Sequence, residues 1–309
     1  MHPEVSIITP TFNRARYIGR TIESALAQTF KDFELIIVDD GSTDDSKQTI
    51  EPYLADSRVR YLYQENKERC AARNNGLRNS RGTYIALLDS DDLWLPHHLE
   101  SCLRKTREMG ETALIFSNSF VIDQDDKIIS RLYTRVHEGY VMDEIVKRLS
   151  SDFAPSASFI PKTIFDDVGY FLEREGFSAG EDTERWISIA NKYPFFSTHK
   201  FTVLYRVNTQ DDRNASIHAE KNLRRLIDIL LSNKALPTTR IEGLIHRWQY
   251  TTFAEVYGHF GDMKQARSYL YLAIQKNKGL LFEPRWWWVL LKSMMGMNLI
   301  RKLKGLGHS

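Results

Sequence analysis

Cysteine, net charge and long apolar runs are all scarce in this 309-residue sequence. Its two cysteines, Cys70 and Cys102, match no metal or redox spacing, so we expect buried fillers in a reducing compartment. A formal net charge of +2 gives no global field that would favour nucleic acid. No run reaches the roughly 20 apolar residues of a membrane span, and MHPEVSIITP lacks the features of a signal peptide. These absences together predict a cytoplasmic protein.

Glycine-rich phosphate loops are also absent. No Gly-x-x-x-x-Gly-Lys-Ser/Thr motif occurs, which excludes a P-loop NTPase. No Gly-x-Gly-x-x-Gly follows the first expected strand, so a dinucleotide-binding fold lacks its fingerprint. An EF-hand loop fits poorly at Asp89-Ser90-Asp91-Asp92, because Leu93 and Trp94 break the Asp-x-Asp-x-Asp-Gly pattern that it needs.

What the sequence does contain, in its first 117 residues, is an alternation of apolar runs and helical periodicity. The expected strands are Val5–Thr9, Phe33–Val38, Val59–Tyr63, Tyr84–Leu88 and Ala113–Phe116. Helices are expected between them, including one over 68–79 and one from Pro96 to about Met109. This order predicts an α/β fold with a mixed, mostly parallel sheet flanked by helices.

The second half is less regular. A hairpin is expected within Ser119–Tyr133, followed by helices near 140–149 and 182–192 and a strand near 200–207. From about residue 218 only helices are expected, among them a tetratricopeptide-like pair around Gly261-Asp262. One pair is not an array, so we interpret this region as a helical appendage. The expected division is a catalytic domain over 1–215 and a helical region over 216–309.

Three of the expected strands end in polar clusters. These are Pro10-Thr11-Phe12-Asn13, Asp39-Asp40-Gly41-Ser42 and Asp89-Ser90-Asp91-Asp92. Parallel strands bring their carboxyl ends to one edge of a sheet, where ligands bind. The sequence therefore predicts a site at this edge. A helix after the second cluster is expected to be capped by Ser42 or Thr43.

The third cluster suggests a metal site. At strand spacing Asp89 and Asp91 point to the same side, and two such carboxylates repel unless a cation lies between them. Hard oxygen ligands suit Mg²⁺ or Mn²⁺, which bind one or two carboxylates together with substrate phosphates. The alternative is a solvated acidic turn that caps the next helix, and Asp92 is assigned to that helix start.

Five motifs in order carry a resemblance: VSIITPTFNRARYI, FELIIVDDGSTD, AARNNGL, GTYIALLDSDDLW and GED. Together they resemble the family 2 glycosyltransferases over roughly the first 210 residues. The resemblance implies the type-A glycosyltransferase fold, a Rossmann-like domain that binds nucleotide sugars. It implies transfer of a sugar, with inversion, from a nucleotide-diphosphate donor, by default a UDP-sugar. The acceptor would be a saccharide or lipid-linked hydroxyl in polysaccharide or glycoconjugate synthesis.

The resemblance also implies roles for individual residues. Donor binding falls to Pro10, Thr11, Phe12, Asp40, Arg73, Asp89 and Ser90. Asp91, with Asp89, would bind the metal, and Asp182 matches the usual catalytic base. Trp94 and Glu181 would contact the acceptor or the donor sugar. Asp40 suits uracil because its carboxylate can accept a hydrogen bond from N3–H.

Each role has a structural alternative. Asp40 could belong to a turn, Arg73 could lie on a solvated helix face with Arg69 and Arg78, and Trp94 could be a core residue. Asp182 could be only a helix N-terminal acid. For the whole chain the alternatives are an inactive nucleotide-sugar-binding module and a sugar nucleotidyltransferase, although ITPTFNRAR lacks the glycine-rich loop of the latter.

Two further segments are notable. In RVNTQDDRNAS, Arg206 and Arg213 are candidates for diphosphate contacts, although the histidine that the resemblance implies there is missing. Residues 285–304 combine three consecutive tryptophans, apolar residues and basic residues, which is typical of a peripheral membrane helix. The alternative is a packed terminal helix with a solvated basic end.

Overall fold

A computed structural model describes residues 2–134, 136–173, 180–207, 215–259 and 261–294, without the side chains of 215–218. The chain forms two units. The first comprises Met1–Met142 and Ser151–Thr209, and the second comprises Asp143–Ser150 and Gln210–Ser309. Residues Asp143–Ser150 thus group with the C-terminal helices. The expected division, with one boundary after residue 215, placed them in the catalytic domain.

The first unit contains one mixed sheet, to which the described residues contribute nine strands in the order β3-β2-β1-β4-β8-β6-β9-β5, with β7 beside β6. The strands are β1 (Val5–Thr11), β2 (Phe33–Asp39), β3 (Val59–Tyr63), β4 (Tyr84–Leu87), β5 (Leu93–Trp94), β6 (Leu114–Ile122), β7 (Ile128–Leu132), β8 (Ser158–Pro161) and β9 (Phe195–Arg206). Its helices are α1 (Ala15–Leu26), α2 (Ser46–Ile50), α3 (Glu68–Asn79), α4 (His98–Met109), α6 (Lys162–Val168) and α7 (Glu181–Ala190), while α5 (Met142–Arg148) leads into the second unit.

The half of the sheet from β3 to β4 is entirely parallel. Strands β1 and β2 are buried along their whole length, as expected for parallel strands covered on both faces. Helix α3 packs closely on β1: a Cβ added at Gly76 would lie 2.5 Å from Cγ2 of Ile8. The α/β prediction is confirmed, and the buried cysteines behave as fillers, since burial raises the pKa of both Cys70 and Cys102 to about 12.

The other half of the sheet departs from the sequence expectations in detail. The fifth strand and the first arm of the expected hairpin are one continuous strand, β6, and the hairpin with β7 is confirmed. Strand β9 begins earlier than expected and runs parallel to β6. Strand β8 and helix α6 have no counterpart in the sequence interpretation, because each is too short to show a period.

The turn after β2 was assigned the wrong helix cap. Helix α2 begins at Ser46 after Asp45, and neither Ser42 nor Thr43 caps it. Instead, Ser42 Oγ accepts a hydrogen bond from the Asn13 amide, which ties this turn to the end of β1. Gly41 has φ +80, and a Cβ there would lie 2.9 Å from the Asn66 nitrogen, so the tight turn requires glycine.

The second unit is helical throughout its described part. It contains α8 (Ala215–Ser232), α9 (Thr238–His259), α10 (Met263–Lys276), a 3-10 turn at Lys278–Phe282 and helical residues 284–294. The expected helix pair is confirmed, and Asp262 caps α10 by accepting from the Gln265 amide at 2.9 Å. Trp248, Leu270 and Trp286 form part of its core. Among the described helices, none is apolar for long enough to cross a membrane.

Candidate active site

A cavity of about 420 Å³ lies at the carboxyl edge of the parallel half-sheet. All three polar strand ends reach it, as predicted, with Pro10, Thr11, Phe12, Asp40, Asp89, Ser90 and Asp91 in its lining. The remaining lining residues are Arg14, Asn66, Glu68, Arg69, Ala72, Tyr205 and Arg206. The register explains the convergence, because Thr11 pairs with Asp39 and the Asp40 amide donates to the Thr11 carbonyl at 2.9 Å.

One end of the cavity presents both an acceptor and a hydroxyl. Asp40 is buried, and its Oδ1 accepts hydrogen bonds from Gln64 Nε2 at 2.7 Å and from the Lys67 amide at 2.9 Å. Thr11 Oγ1 is buried without a partner among the described residues. Phe12 is 42% exposed beside them. This end can therefore accept a hydrogen bond and offer an aromatic face.

The aspartates after β4 lie in a turn, and they differ in their partners. Asp89 accepts a hydrogen bond from Arg73 Nη2 at 2.8 Å, and this cation holds the pKa of Asp89 below its usual value although burial opposes it. Asp91 is 32% exposed, and its Oδ2 lies 3.3 Å from Arg14 Nε. Burial and the Asp89 charge raise the pKa of Asp91. Both line the cavity, although they lie in a turn and not at strand spacing.

Asp92 does not belong to the next helix, so that assignment was wrong. Helix α4 begins only at His98, and Asp92 is 1% exposed. It accepts hydrogen bonds from Ser156 Oγ at 2.6 Å and from the Arg206 amide at 2.8 Å. Burial and the neighbouring Asp89 charge raise its pKa well above the usual value. Asp92 therefore ties the turn after β4 to Ser156 and to the end of β9.

Arg73 lies beneath the cavity. Its side chain is fully buried, which rules out a solvated face for this residue. Its guanidinium pairs with Asp89 at 2.8 Å and with Glu181 at 3.2 Å. Arg69, one helical turn earlier and 49% exposed, also pairs with Glu181, at 3.3 Å. Arg73 thus links the turn after β4 to the start of α7 rather than lining the cavity.

Asp182 lies in the first turn of α7, after Gly180. It is partly exposed, and its Oδ1 accepts a hydrogen bond from the Thr183 amide at 2.8 Å. Burial and the adjacent Glu181 carboxylate raise the pKa of Asp182 to about 6 against the opposing charge of Arg73. A carboxyl with this pKa can accept a proton near neutral pH.

The three strand ends lie within a segment that matches a known family, whereas Asp182 lies beyond the matched segment. Residues 6–169 match the family model described as "Glycosyl transferase family 2". The chain belongs to glycosyltransferase family 2.

Curated relatives agree. An uncharacterized glycosyltransferase of Rickettsia felis is 36% identical over 194 residues, covering 61% of this chain and 30% of the relative. Chondroitin synthase of Escherichia coli is 42% identical over 132 residues, covering 42% of this chain and 19% of the relative. The match spans about a third or less of the length of these first relatives. Glycosyltransferase GlyG of Streptococcus pneumoniae is 29% identical over 215 residues, with 65% and 70% covered.

Solved structures show the fold. Staphylococcus aureus TarS 1–349 has a TM-score of 0.60 at 16% identity, with 94% of this chain and 88% of TarS covered. The mannosyltransferase PcManGT of Pyrobaculum calidifontis, in complex with GDP-Man and Mn²⁺, has a TM-score of 0.61 at 15% identity, with 96% and 87% covered. The likeness supports the expected type-A glycosyltransferase fold.

In this family 2 glycosyltransferase, the residues suited to a metal are few. Among the described residues, no group of three or more His, Cys, Asp or Glu side chains could hold an ion by itself. Asp89 and Asp91 offer hard oxygens at the cavity wall. This donor set fits Mg²⁺ or Mn²⁺, which take one or two carboxylates and complete their coordination with phosphates and water.

Trp94 does not face the cavity of the glycosyltransferase. It is 3% exposed, its Nε1 donates to the Ser156 carbonyl at 2.7 Å, and its ring stacks on His98 at 4.3 Å. This burial favours the core alternative over a sugar contact. Glu181 is buried as well and is occupied by Arg69 and Arg73.

Three residues that matter to the site were missed or misjudged in the sequence. Ser156 donates to Asp92 and accepts from the Asp89 amide, but it comes from a distant segment without a motif. Arg14 directly follows the first polar cluster, and this adjacency was the available signal. Arg206 was expected at a diphosphate, yet its guanidinium bonds the carbonyls of Asp91 and Asp123 and the Asp126 carboxylate. Arg213 lies outside the described residues.

Proposed function

We propose that this chain transfers a sugar from a nucleoside-diphosphate donor, in the first instance a UDP-sugar, to a hydroxyl of a saccharide or lipid-linked acceptor. The observation that carries the proposal is the convergence of three polar strand ends on one cavity. Asp182, whose pKa is raised to about 6, is not among the residues that line this cavity, but it follows Glu181, which pairs with the lining residue Arg69. Donor class is supported by the neighbours, since TarS has been solved with UDP and with UDP-GlcNAc and PcManGT with GDP-Man.

The base and ribose of the donor would occupy the end of the cavity near β1 and β2. With its recorded bonds on Oδ1, Asp40 can accept the N3–H of uracil through Oδ2. Phe12 offers its exposed ring to the base, and Thr11 Oγ1 gains a partner when a polar ligand group enters. Asp89 and Ser90, which follow the neighbouring strand β4, would face the ribose and the diphosphate.

Asp91 and Asp89 would hold Mg²⁺ or Mn²⁺. Such an ion supplies Lewis-acid stabilisation of the negative charge that gathers on the leaving diphosphate. The hydrogen bond from Arg73 favours the ionised form of Asp89, which is the form that binds a metal ion. Arg73 acts here as a positioning residue, because it is buried and fixes Asp89 and Glu181 together.

Asp182 would remove the proton from the attacking acceptor hydroxyl. The hydroxyl then forms a bond to the anomeric carbon as the nucleoside diphosphate departs from the opposite face, which inverts the configuration. The transition state has oxocarbenium character, as in glycoside hydrolysis. General-base catalysis of this kind contributes about 10²–10⁴-fold.

A second proposal concerns the membrane. Helical residues 284–294 turn Trp286 inward and leave Trp287, Trp288 and Met294 at least half exposed, with Lys292 5.0 Å from the Trp288 ring. Arg285 forms an ion pair with Glu255, and Trp286 is buried. These two residues are therefore removed from the lipid contacts that the sequence suggested. The remaining aromatic face supports peripheral contact with the inner face of an anionic membrane, where a lipid-linked acceptor is presented.

A nucleotide-sugar screen tests the proposed transfer. Thermal shift is measured with UDP-, GDP- and other nucleotide sugars, each with Mn²⁺, Mg²⁺ or chelator. We expect stabilisation by one nucleotide class that depends on the divalent ion, followed by release of the nucleoside diphosphate. Binding without release for any acceptor class would favour the inactive binding module. Formation of a nucleotide sugar from a sugar phosphate would favour the nucleotidyltransferase.

A further inference from the structure

Three arginines line the cavity within the described part of the chain, and they are held very differently. Arg206 is 8% exposed and is fixed by hydrogen bonds to Asp91, Asp123 and Asp126. Arg69 pairs with Glu181, which is buried. Arg14 is 40% exposed, and among the described residues its guanidinium makes polar contacts only with the carboxylate of Asp91 and the carbonyl of Asn13.

The backbone of Arg14 is rigidly positioned even though its side chain is exposed. Its amide donates to Ser46 Oγ at 2.8 Å. Asn13 adopts φ +53, and its Oδ1 accepts from the Thr43 amide at 2.8 Å. The Cα of Arg14 is therefore fixed at the cavity mouth, while the long side chain keeps rotamer freedom to choose between anionic partners.

The partner of Arg14 is the carboxylate that the proposed function assigns to the metal. Arg14 Nε lies 3.3 Å from Asp91 Oδ2, whereas Asp89 is already neutralised by Arg73. A divalent ion and Arg14 thus compete for the same carboxylate. A nucleoside diphosphate entering the cavity supplies a new anion that a guanidinium can bind through two parallel hydrogen bonds.

We propose that Arg14 is a placeholder cation that neutralises Asp91 in the donor-free enzyme and transfers to the donor diphosphate when the metal takes that carboxylate. The inference rests on the proposed function, because it assumes a metal at Asp91 and a diphosphate in this cavity. Arg14 would then be a donor-binding residue that also couples metal and donor binding. In the free enzyme it opposes the metal, and in the loaded enzyme it supports the diphosphate.

This exchange has a thermodynamic consequence. Arg14 must be displaced before an ion binds alone, so the ion binds weakly, but the displaced guanidinium gains a partner when the diphosphate arrives. Each ligand then raises the affinity for the other by the same factor, as linkage requires. Removal of Arg14 should therefore shift the two affinities in opposite directions, which damage to the fold would not do.

The experiment uses the full chain and probes binding without turnover. Mn²⁺ affinity is measured by electron paramagnetic resonance, with and without UDP, and UDP affinity by calorimetry at saturating Mn²⁺. The variants are Arg14→Met, which keeps the stem and removes the charge, and Arg14→Lys, which keeps the charge. Arg16→Met is the matched control, because Arg16 is 57% exposed and pairs with Asp125 outside the cavity lining.

For Arg14→Met we expect Mn²⁺ alone to bind about threefold to fivefold tighter and UDP with Mn²⁺ to bind at least as much weaker, the scale of a partly exposed ion pair. Arg14→Lys should be intermediate, and Arg16→Met should match the wild type. Cooperative Mn²⁺ and UDP binding that is unchanged in Arg14→Met would overturn this inference alone. A wild type that binds neither ligand, alone or together, would overturn the inference together with the proposed function.

Discussion

At the scale of single residues, Asp89 and Asp182 both feel the charge of the buried Arg73, but their pKa values shift in opposite directions. Asp89 bonds Arg73 directly, and its pKa is lowered despite burial. Asp182 has Glu181 as its neighbour, and within the described part of the chain Arg73 bonds Asp89 and Glu181 instead of Asp182, so burial and repulsion raise the pKa of Asp182 to about 6. Carboxyls whose pKa values are pushed apart in this way divide into a permanent anion and a proton acceptor.

The raised pKa of Asp182 predicts the pH dependence of transfer. The base must be unprotonated, so kcat/KM should rise with pH through about 6 and fall roughly tenfold per unit below it. The measurement is kcat/KM for the donor from pH 4.5 to 8 with saturating metal. An activity that is flat between pH 5 and 7 would contradict the role of Asp182 as base.

At the scale of elements, the close packing of α3 on β1 sets the depth of Arg73. Gly76 permits this approach, and Arg73 lies on the same helix one turn before it. The strand ends could be predicted from sequence because apolar runs and the polar residues after them are local signals. The partners of those residues could not. Ser156 comes from a distant segment without a motif, and although Glu181 and Arg206 were expected at the site, no local pattern shows that they bond Arg73 and the Asp91 carbonyl.

The same reasoning explains the errors about orientation. The buried state of Trp94 depends on β9 and Ser156, and the buried position of Asp92 depends on Ser156 and on the Arg206 amide. Similarly, Arg285 and Trp286 face the core of the second unit because Glu255 and Trp248 lie there. Each outcome follows from a tertiary partner that the sequence does not locate.

A pair of glycine substitutions tests the packing of α3. A Cβ at Gly76 would meet the fully buried Ile8 at 2.5 Å, so Gly76→Ala should destabilise the chain by about 1–2 kcal/mol. Gly243, inside α9, has nothing within 4 Å of its added Cβ, so Gly243→Ala should stabilise by about 0.5–1 kcal/mol. Chemical unfolding measures both. Equal effects of the two substitutions would show that α3 does not require the close approach.

At the scale of the whole molecule, the two units expose surfaces of different polarity. The first unit presents a polar cavity with paired charges. The second unit exposes Phe282, Trp287, Trp288, Leu291 and Met294, whose exposed fractions range from 47% to 89%. Exposed apolar and aromatic side chains of this kind are what the proposed membrane contact requires.

Vesicle binding tests the membrane proposal. The wild type should co-sediment with vesicles containing anionic lipid more than with neutral ones, and Trp287→Ser/Trp288→Ser should lose most of this binding. Tyr140→Ser, at an exposed aromatic in the first unit, is the control and should bind as the wild type does. Unchanged partitioning of the double variant would refute the proposal. Substitution is preferable to truncation before Pro284, because Trp286 belongs to the core.

The most direct test of the account compares nucleoside diphosphate release by the wild type and Asp182→Asn. Both are assayed with the donor that binds tightest, saturating Mn²⁺ and an acceptor, at pH 7.5. The account predicts equal donor affinity in a binding assay and release that falls by about 10²-fold or more in the variant. Release that is unchanged in Asp182→Asn would contradict it, as would a wild type that releases no nucleoside diphosphate from any donor it binds.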